Sequence, residues 1–220
     1  MPRQKGTDTG GTDARLAILD AAERIFANEG YNGAVIRDIA EAAGVNLGLI
    51  QYHFGSKDKL FTAVINRRLD GWRARVAGSI AAATARPDAP LADILAAFLR
   101  PFLEVLAGTD EGWILYLRLI GRGMSNYARG GVHPALRQLA GIPDLLKEAL
   151  RARYPLADEA AFHLASYMLE VALTHIVQDR GLLAARSEGQ VEIARAIAHL
   201  DEISRYFAAG FAAIALRAES

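Results

Sequence analysis

Residues 36–54 read IRDIAEAAGVNLGLIQYHF, in the order expected of two short helices joined by a tight turn. Ile36, Ile39, Ala40 and Ala43 recur at steps of three and four, the period of one buried helical face, which predicts a helix over 36–43. Gly44 stops it. Ala42 and Ala43 are small enough for the next helix to cross steeply, and Val45 plugs the shared core. Asn46 is a good N-cap, because a short side-chain oxygen reaches the free N–H groups of a first turn; a third helix is expected through His53. At about 100° per residue, Leu47, Gly48, Gln51 and Tyr52 share one side, while Val45, Leu49 and Ile50 serve the core. This is the layout of a helix-turn-helix, whose second helix fits a major groove about 12 Å wide. A small hairpin buried in an all-α core would carry the same glycine, so these residues alone leave both readings open.

On the DNA-binding reading, each outward residue has a task. Gln51 can donate to and accept from an adenine edge, and Leu47 can meet a thymine methyl. Gly48 lets the backbone come close, and Asn46 at the start of the same helix is a further candidate DNA contact. Tyr52, His53 and Lys57 can donate to phosphates, which positions the helix without reading sequence. Arg37, at the start of the preceding helix, is placed for another phosphate, and the N–H groups of that first turn can join it.

Upstream, residues 1–11 read as a flexible arm carrying Arg3 and Lys5. Leu16, Leu19, Ala22, Ile25 and Phe26 then form the buried stripe of a first helix capped by Thr12 or Asp13 and ended by Gly30. Downstream, Ser56 caps a long fourth helix whose apolar stripe runs from Leu60 to Ile80 and which ends before Pro87. Only helices follow: 91–106 with a kink at Pro101, 111–120, the pieces 134–140 and 143–153, 158–179, and 191–216 interrupted near His199. Residues 121–132 are expected to be a loop. No run alternates with period two, so the fold class is all-α, with a small helix-turn-helix domain at residues 12–60 and a larger helical bundle at 61–220.

The run ILDAAERIFANEGYNGAVIRDIAEAAGVNLGLIQYHFGSKDKLF, residues 18–61, resembles the DNA-binding domain of the tetracycline-repressor family. The matching features are AAxxxFAxxGY, RDIAxxAGV and YHFGSKxxLF, in order and with the family spacing. The resemblance implies a homodimeric repressor of transcription that binds a palindromic operator and releases it when a small effector enters the C-terminal domain. It implies dimerisation through the last two helices, here near 158–179 and 200–217. Two positions depart from the family pattern. Ala34 and Val35 stand where a threonine or serine hydroxyl usually caps the second helix and touches a phosphate. Leu47 and Gln51 stand where a lysine and a tyrosine are common.

Beyond residue 70 the reading rests on physics, together with a similarity of YLRLIGRGMSNY, residues 116–127, to fatty-acid-responsive members. Arg118 lies in a helix apolar nearly all round, with Arg122 one turn on. A buried guanidinium needs a partner. Either it pairs with Glu170, or Arg118 or Arg122 meets an anionic effector head group such as a carboxylate or acyl thioester. Phe98, Phe102, Trp113, Tyr116, Tyr167 and Met168 are candidates for an apolar pocket lining, or for ordinary core. Residues 160–177 and 203–216 carry more apolar surface than one stripe needs, which is the pattern of a four-helix interface between two copies.

Composition narrows the alternatives. The chain has 220 residues, 25 basic and 25 acidic side chains and no cysteine, so disulfides, thiolate metal sites and cysteine nucleophiles are excluded. The balanced charge means that a DNA face must rest on few cations, chiefly Arg37 and Lys57 with Arg3, Lys5 and Arg15 as helpers. Charges interrupt the apolar stretches, so no membrane span is expected, and with no apolar leader at Met1 the expected location is the cytoplasm. No nucleophile elbow, phosphate-binding loop or zinc-binding motif occurs, and the five histidines share no ligand face, so neither an enzyme, a metal nor a cofactor is expected. The competing reading is a helical dimer that binds a ligand or protein and keeps a vestigial DNA-binding head.

Overall fold

The computed structural model describes residues 9–125, 133–154 and 158–216. Eleven α-helices occur among them: α1 (Thr9–Gly33), α2 (Ile36–Ala42), α3 (Leu47–Phe54), α4 (Lys57–Thr84), α5 (Leu91–Ala107), α6 (Glu111–Ser125), α7 (Pro134–Arg137), α8 (Gly141–Arg151), α9 (Glu159–Gln178), α10 (Leu182–Arg186) and α11 (Leu200–Ile214). Short 3-10 turns lead into α8 and α11.

α4 is the spine. Its N-terminal half puts Leu60, Phe61, Val64 and Ile65 into a first core with Ile18, Ala22 and Phe26 of α1, Ile39 of α2 and Ile50 of α3. Its C-terminal half puts Trp72, Val76 and Ile80 into a second core with α5, α6, α8, α9 and α11. Ser56 caps it, accepting from the Lys59 N–H at 3.2 Å. One helix therefore belongs to both domains, and the cores meet without a linker.

Several expectations are corrected. Helix α1 begins at Thr9, so Thr12 and Asp13 lie inside it and residues 9–11 are not arm; Arg3 and Lys5 lie outside the described residues. Leu16 is 43% exposed, and Ile18 and Ala21 take the inner positions instead. Gly30 breaks α1, with φ 75°, but helical hydrogen bonding resumes to Gly33. Pro101 lies, as expected, within the helix, buried in α5, which ends one residue later than expected, at Ala107. The expected loop at 121–132 is helical through Ser125, and its residues 126–132 lie outside the described residues. The interruption expected near His199 is present, a 3-10 turn over Ile193–His199 giving way to α11 at Leu200, whereas α10 was not foreseen.

α9 is long and apolar enough to cross a membrane by length and composition, contrary to the expectation that charges interrupt every such stretch. Phe162, Ala165, Leu169, Leu173 and Val177 face the core, while Leu164, Tyr167, Met168 and Val171 are exposed. It is thus a helix with two apolar faces, only one of them covered within the chain.

The crossing of α6 over α9 depends on Gly121. A Cβ there would come within 2.8 Å of Val177 Cγ2 and 3.4 Å of the Thr174 carbonyl. A β-branched methyl and a backbone oxygen yield little, so Gly121→Ala is expected to destabilise the protein by about 1–3 kcal/mol, the usual cost of overpacking. Urea denaturation measures it.

Candidate nucleic-acid interface and effector cavity

The recognition face is built by turn chemistry. Gly44 holds φ 66° with open space around it, so it serves the backbone conformation and not a close approach. The Val45 N–H returns to the Ala40 carbonyl at 3.0 Å. Asn46 accepts from the Leu49 N–H at 2.9 Å, so its side chain is spent on capping α3. Ile50 and Phe54 anchor α3 in the first core. Leu47, Gly48, Gln51 and Tyr52 face outward together, Tyr52 being 82% exposed. Arg37 is also exposed and makes no ion pair among the described residues. As Ala34 and Val35 implied, Val35 stands at the N-cap of α2 and offers no side-chain hydrogen bond.

Two expected phosphate donors are placed differently. His53 is half-buried against the rings of Tyr52 and Phe54, and its Nε2 is buried without a partner. Lys57 turns back over the Tyr31 ring, its ammonium 4.8 Å from the centroid. Burial lowers the Lys57 pKa, against the opposing pull of Asp58. Arg15 stacks on Phe54 at 5.4 Å. The aromatic and small residues near these cations draw them onto ring faces, a contact that i, i+4 bookkeeping along one helix does not reveal.

Beside Lys57 lies a polar clip between the domains. Tyr31 Oη donates to Asp58 Oδ1 at 2.5 Å, and His133 Nε2 contacts the same oxygen at 3.2 Å. The Ala135 N–H donates to His133 Nδ1 at 3.1 Å, so the neutral ring carries its proton on Nε2 and donates to Asp58. The two side-chain bonds hold the Asp58 pKa below its ordinary value, and burial, then Asp58, push the Tyr31 pKa up to about 12.

The C-terminal domain holds a cavity of about 510 Å3, within the range of small-molecule sites. Trp72, Phe98, Phe102, Phe162, Leu173 and Val177 give it apolar walls; Leu136 and Leu139 close one side; Glu170, His163, Asp144 and Lys147 add polar groups. Of the expected lining, Phe98 and Phe102 are present. Trp113 packs on Trp72 and Arg68. Tyr116 is buried and donates to the Ile65 carbonyl at 2.9 Å. Tyr167 and Met168 are exposed on the outer face of α9. Arg118 and Arg122 line a different, polar cavity, and Arg122 donates to the Asn28 carbonyl. The expected Arg118–Glu170 ion pair is not among those of the described residues, and the two residues line different cavities. Glu170 instead lines the apolar cavity, where burial, then Asp144, raise its pKa. Leu136, Leu139 and Ile142, which the sequence reading did not assign to a pocket, show only an apolar period that core and cavity walls share.

A profile of the tetR family of bacterial regulatory proteins matches residues 18–64, and one of the tetracyclin repressor-like C-terminal domain matches residues 96–210. The HTH-type transcriptional repressor AcnR of Corynebacterium glutamicum is 47% identical over 53 residues, covering 24% of this chain and 28% of AcnR; the chain thus spans less than a third of that relative's length. The HTH-type transcriptional regulator RutR of Escherichia coli K12 is 30% identical over 154 residues, 70% of this chain and 61% of RutR. Among solved structures, the transcriptional regulator FadR of Bacillus subtilis in complex with stearoyl-CoA superposes with a TM-score of 0.57 at 19% identity, covering 86% of this chain and 96% of FadR. The multidrug binding protein EbrR complexed with malachite green gives 0.57 at 23% identity, covering 88% and 96%.

Glu170 yields a pH test. An acid whose pKa is raised on folding favours the folded state only while protonated. Stability attributable to Glu170 therefore falls as pH rises from the ordinary glutamate value, about 4.3, through the raised one. Glu170→Gln is expected to be more stable than the parent at neutral pH, with the gap closing near pH ~4. Urea midpoints at both pH values check this; a less stable variant at neutral pH would mean that the carboxylate has a partner.

Proposed function

Since the chain belongs to the tetR family of bacterial regulatory proteins, we propose that it is a DNA-binding transcriptional repressor that grips a palindromic operator as a homodimer and releases it when a largely apolar effector fills the C-terminal cavity. The observation that carries the DNA-binding part is the outward face of α3, where Leu47, Gly48, Gln51 and Tyr52 stand together on a helix held from behind by Ile50 and Phe54 and capped by Asn46. Such a face meets base edges, and two copies related by a two-fold axis meet two half-sites. The working place of such a protein is the cytoplasm, and its task is binding, not catalysis.

The uncovered faces of α9 and α11 support the dimer. Leu164, Tyr167, Met168 and Val171, with Tyr206 and Ile214, are between 45% and 75% exposed, and the small residues Ala209, Gly210, Ala212 and Ala213 allow close approach. Four helices from two copies would cover them.

The effector reading rests on shared walls. Leu136 and Leu139 line the cavity and also belong to the DNA-binding domain's core, and His133 at the start of that segment holds Asp58 of α4. An effector that pushes residues 134–140 outward would pull on α4 and re-aim α3. What RutR, FadR or EbrR bind does not name this effector; the walls ask for an apolar body, with half-buried Glu170 among its polar contacts.

Arg37→Ala should weaken binding to all duplexes alike and lower the salt slope by about one, whereas Gln51→Ala should relax preference at one base position by about 1–3 kcal/mol. Selection from random duplexes and salt titration of the winner read both. A protein that selects no sequence would instead be a ligand-binding dimer with a vestigial head. His133→Ala should leave operator affinity near the parent's and blunt effector-driven release, measured by fluorescence anisotropy with an effector found by native mass spectrometry.

A further inference from the structure

At the joint between the domains lies a second cavity, of about 460 Å3, lined by Ala27 and Asn28 of α1, Arg118 and Arg122 of α6, Gln178 at the end of α9, and Arg180 just beyond it. Three arginines line it, Arg118 and Arg122 half-buried and Arg180 exposed, and no carboxylate does. Arg118 and Arg180 make no ion pair among the described residues, and the side chain of Arg122 donates to a neutral carbonyl, that of Asn28. Asp179, the acid next to Arg180 in the chain, accepts from the N–H groups of Gly181, Leu182 and Leu183 and does not line the cavity.

The site lacks compensating negative charge. The first segment of α1 ends at the Gly30 break and α9 ends at Gln178, and each helix C-terminus carries roughly half a negative elementary charge. Together they offset about one of the three positive charges, leaving a net of about +2 in a concave site. Arg118 and Arg122 are half-buried, so water screens them incompletely. The forked donors of arginine match tetrahedral oxyanions, which they bind in pairs of parallel hydrogen bonds.

We propose that this cavity binds a phosphate- or pyrophosphate-bearing small molecule at a site separate from the apolar cavity. The two cavities share no lining residue, although Gly121 and Val177 of one adjoin Arg122 and Gln178 of the other in sequence. The volume exceeds the needs of a lone phosphate, which leaves room for the rest of a phosphorylated small molecule. Arg122 also packs over the Gly30 break, with its Cδ 3.4 Å from where a Cβ would stand. Drawing Arg122 onto a phosphate competes with its bond to Asn28, so occupancy of this site is coupled to the end of α1 and, through the first core, to α3.

The test is isothermal titration calorimetry of the full chain without DNA, at constant ionic strength, with inorganic pyrophosphate as the probe and citrate as a carboxylate of comparable charge. Saturable binding of one pyrophosphate per chain is expected, weakened about tenfold or more in Arg118→Gln and in Arg180→Gln. Arg118→Lys, which keeps the charge and loses the fork, should fall between. Circular dichroism melts identify any variant that fails to fold, and the second arginine then carries the comparison. No saturable heat, an affinity unchanged in the folded variants, or citrate binding as tightly as pyrophosphate would each overturn the assignment. Because no operator is present, these outcomes are independent of whether the protein binds DNA.

Discussion

Burying the carboxylate of Glu23 between α1 and α4 carries a desolvation cost that the structure offsets at one place. Glu23 is only 3% exposed, and Arg68 Nε donates to its Oε1 at 2.8 Å, with Arg67 3.8 Å from the other oxygen. Breaking such a pair by removing one partner is costly, about 3–5 kcal/mol, because it strands a buried charge. Arg68 then stacks on Trp113 of α6 at 5.3 Å, and Trp113 leans on Trp72 of α4. One chain of contacts thus ties α1, α4 and α6.

Around that joint the two cores are not insulated. Leu119 of α6 and Ala135, Leu136 and Leu139 of the segment after it belong to the first core although they come from the C-terminal domain. Tyr116 reaches the Ile65 carbonyl across the same boundary, and His133 holds Asp58. Packed side chains at close-packed density transmit displacement rather than absorbing it. A cavity walled by Leu136 and Leu139 is therefore mechanically close to α4, whatever its occupant. The apolar cavity and the arginine cavity flank one helix crossing, and each touches the DNA-binding domain by a different element.

The helices that read most clearly were those whose apolar period coincides with a cap or stop. Asn46, Ser56 and Gly44 placed α3, the start of α4 and the turn, because each acts on its own neighbours within four residues. Arg118, Arg122 and Tyr116 share one apolar helix, and its period does not say which neighbour meets which face; α6 turns Tyr116 to α4, Arg118 and Arg122 to α1 and α9, and Leu117 to the cavity. The loop expected at 121–132 failed at its start for a related reason. Gly121 and Gly123 look like breakers, yet both sit where a Cβ would strike another side chain, Val177 or Leu136. Close packing, and not a turn, is what they serve.

Local sequence patterns thus specify an all-α chain, the helix-turn-helix with its outward residues, the capped spine that follows and the surplus of apolar surface on the late helices. All of these depend on periodicity and local hydrogen bonding, which act over one or two turns. The packing of distant helices decided that Lys57 and His53 turn inward, that Glu170 lines an apolar cavity with no ion pair among the described residues, and that three arginines from two distant segments share another. Those outcomes depend on which helices cross and at what distance, and crossing geometry is set by the summed packing of residues far apart in the chain.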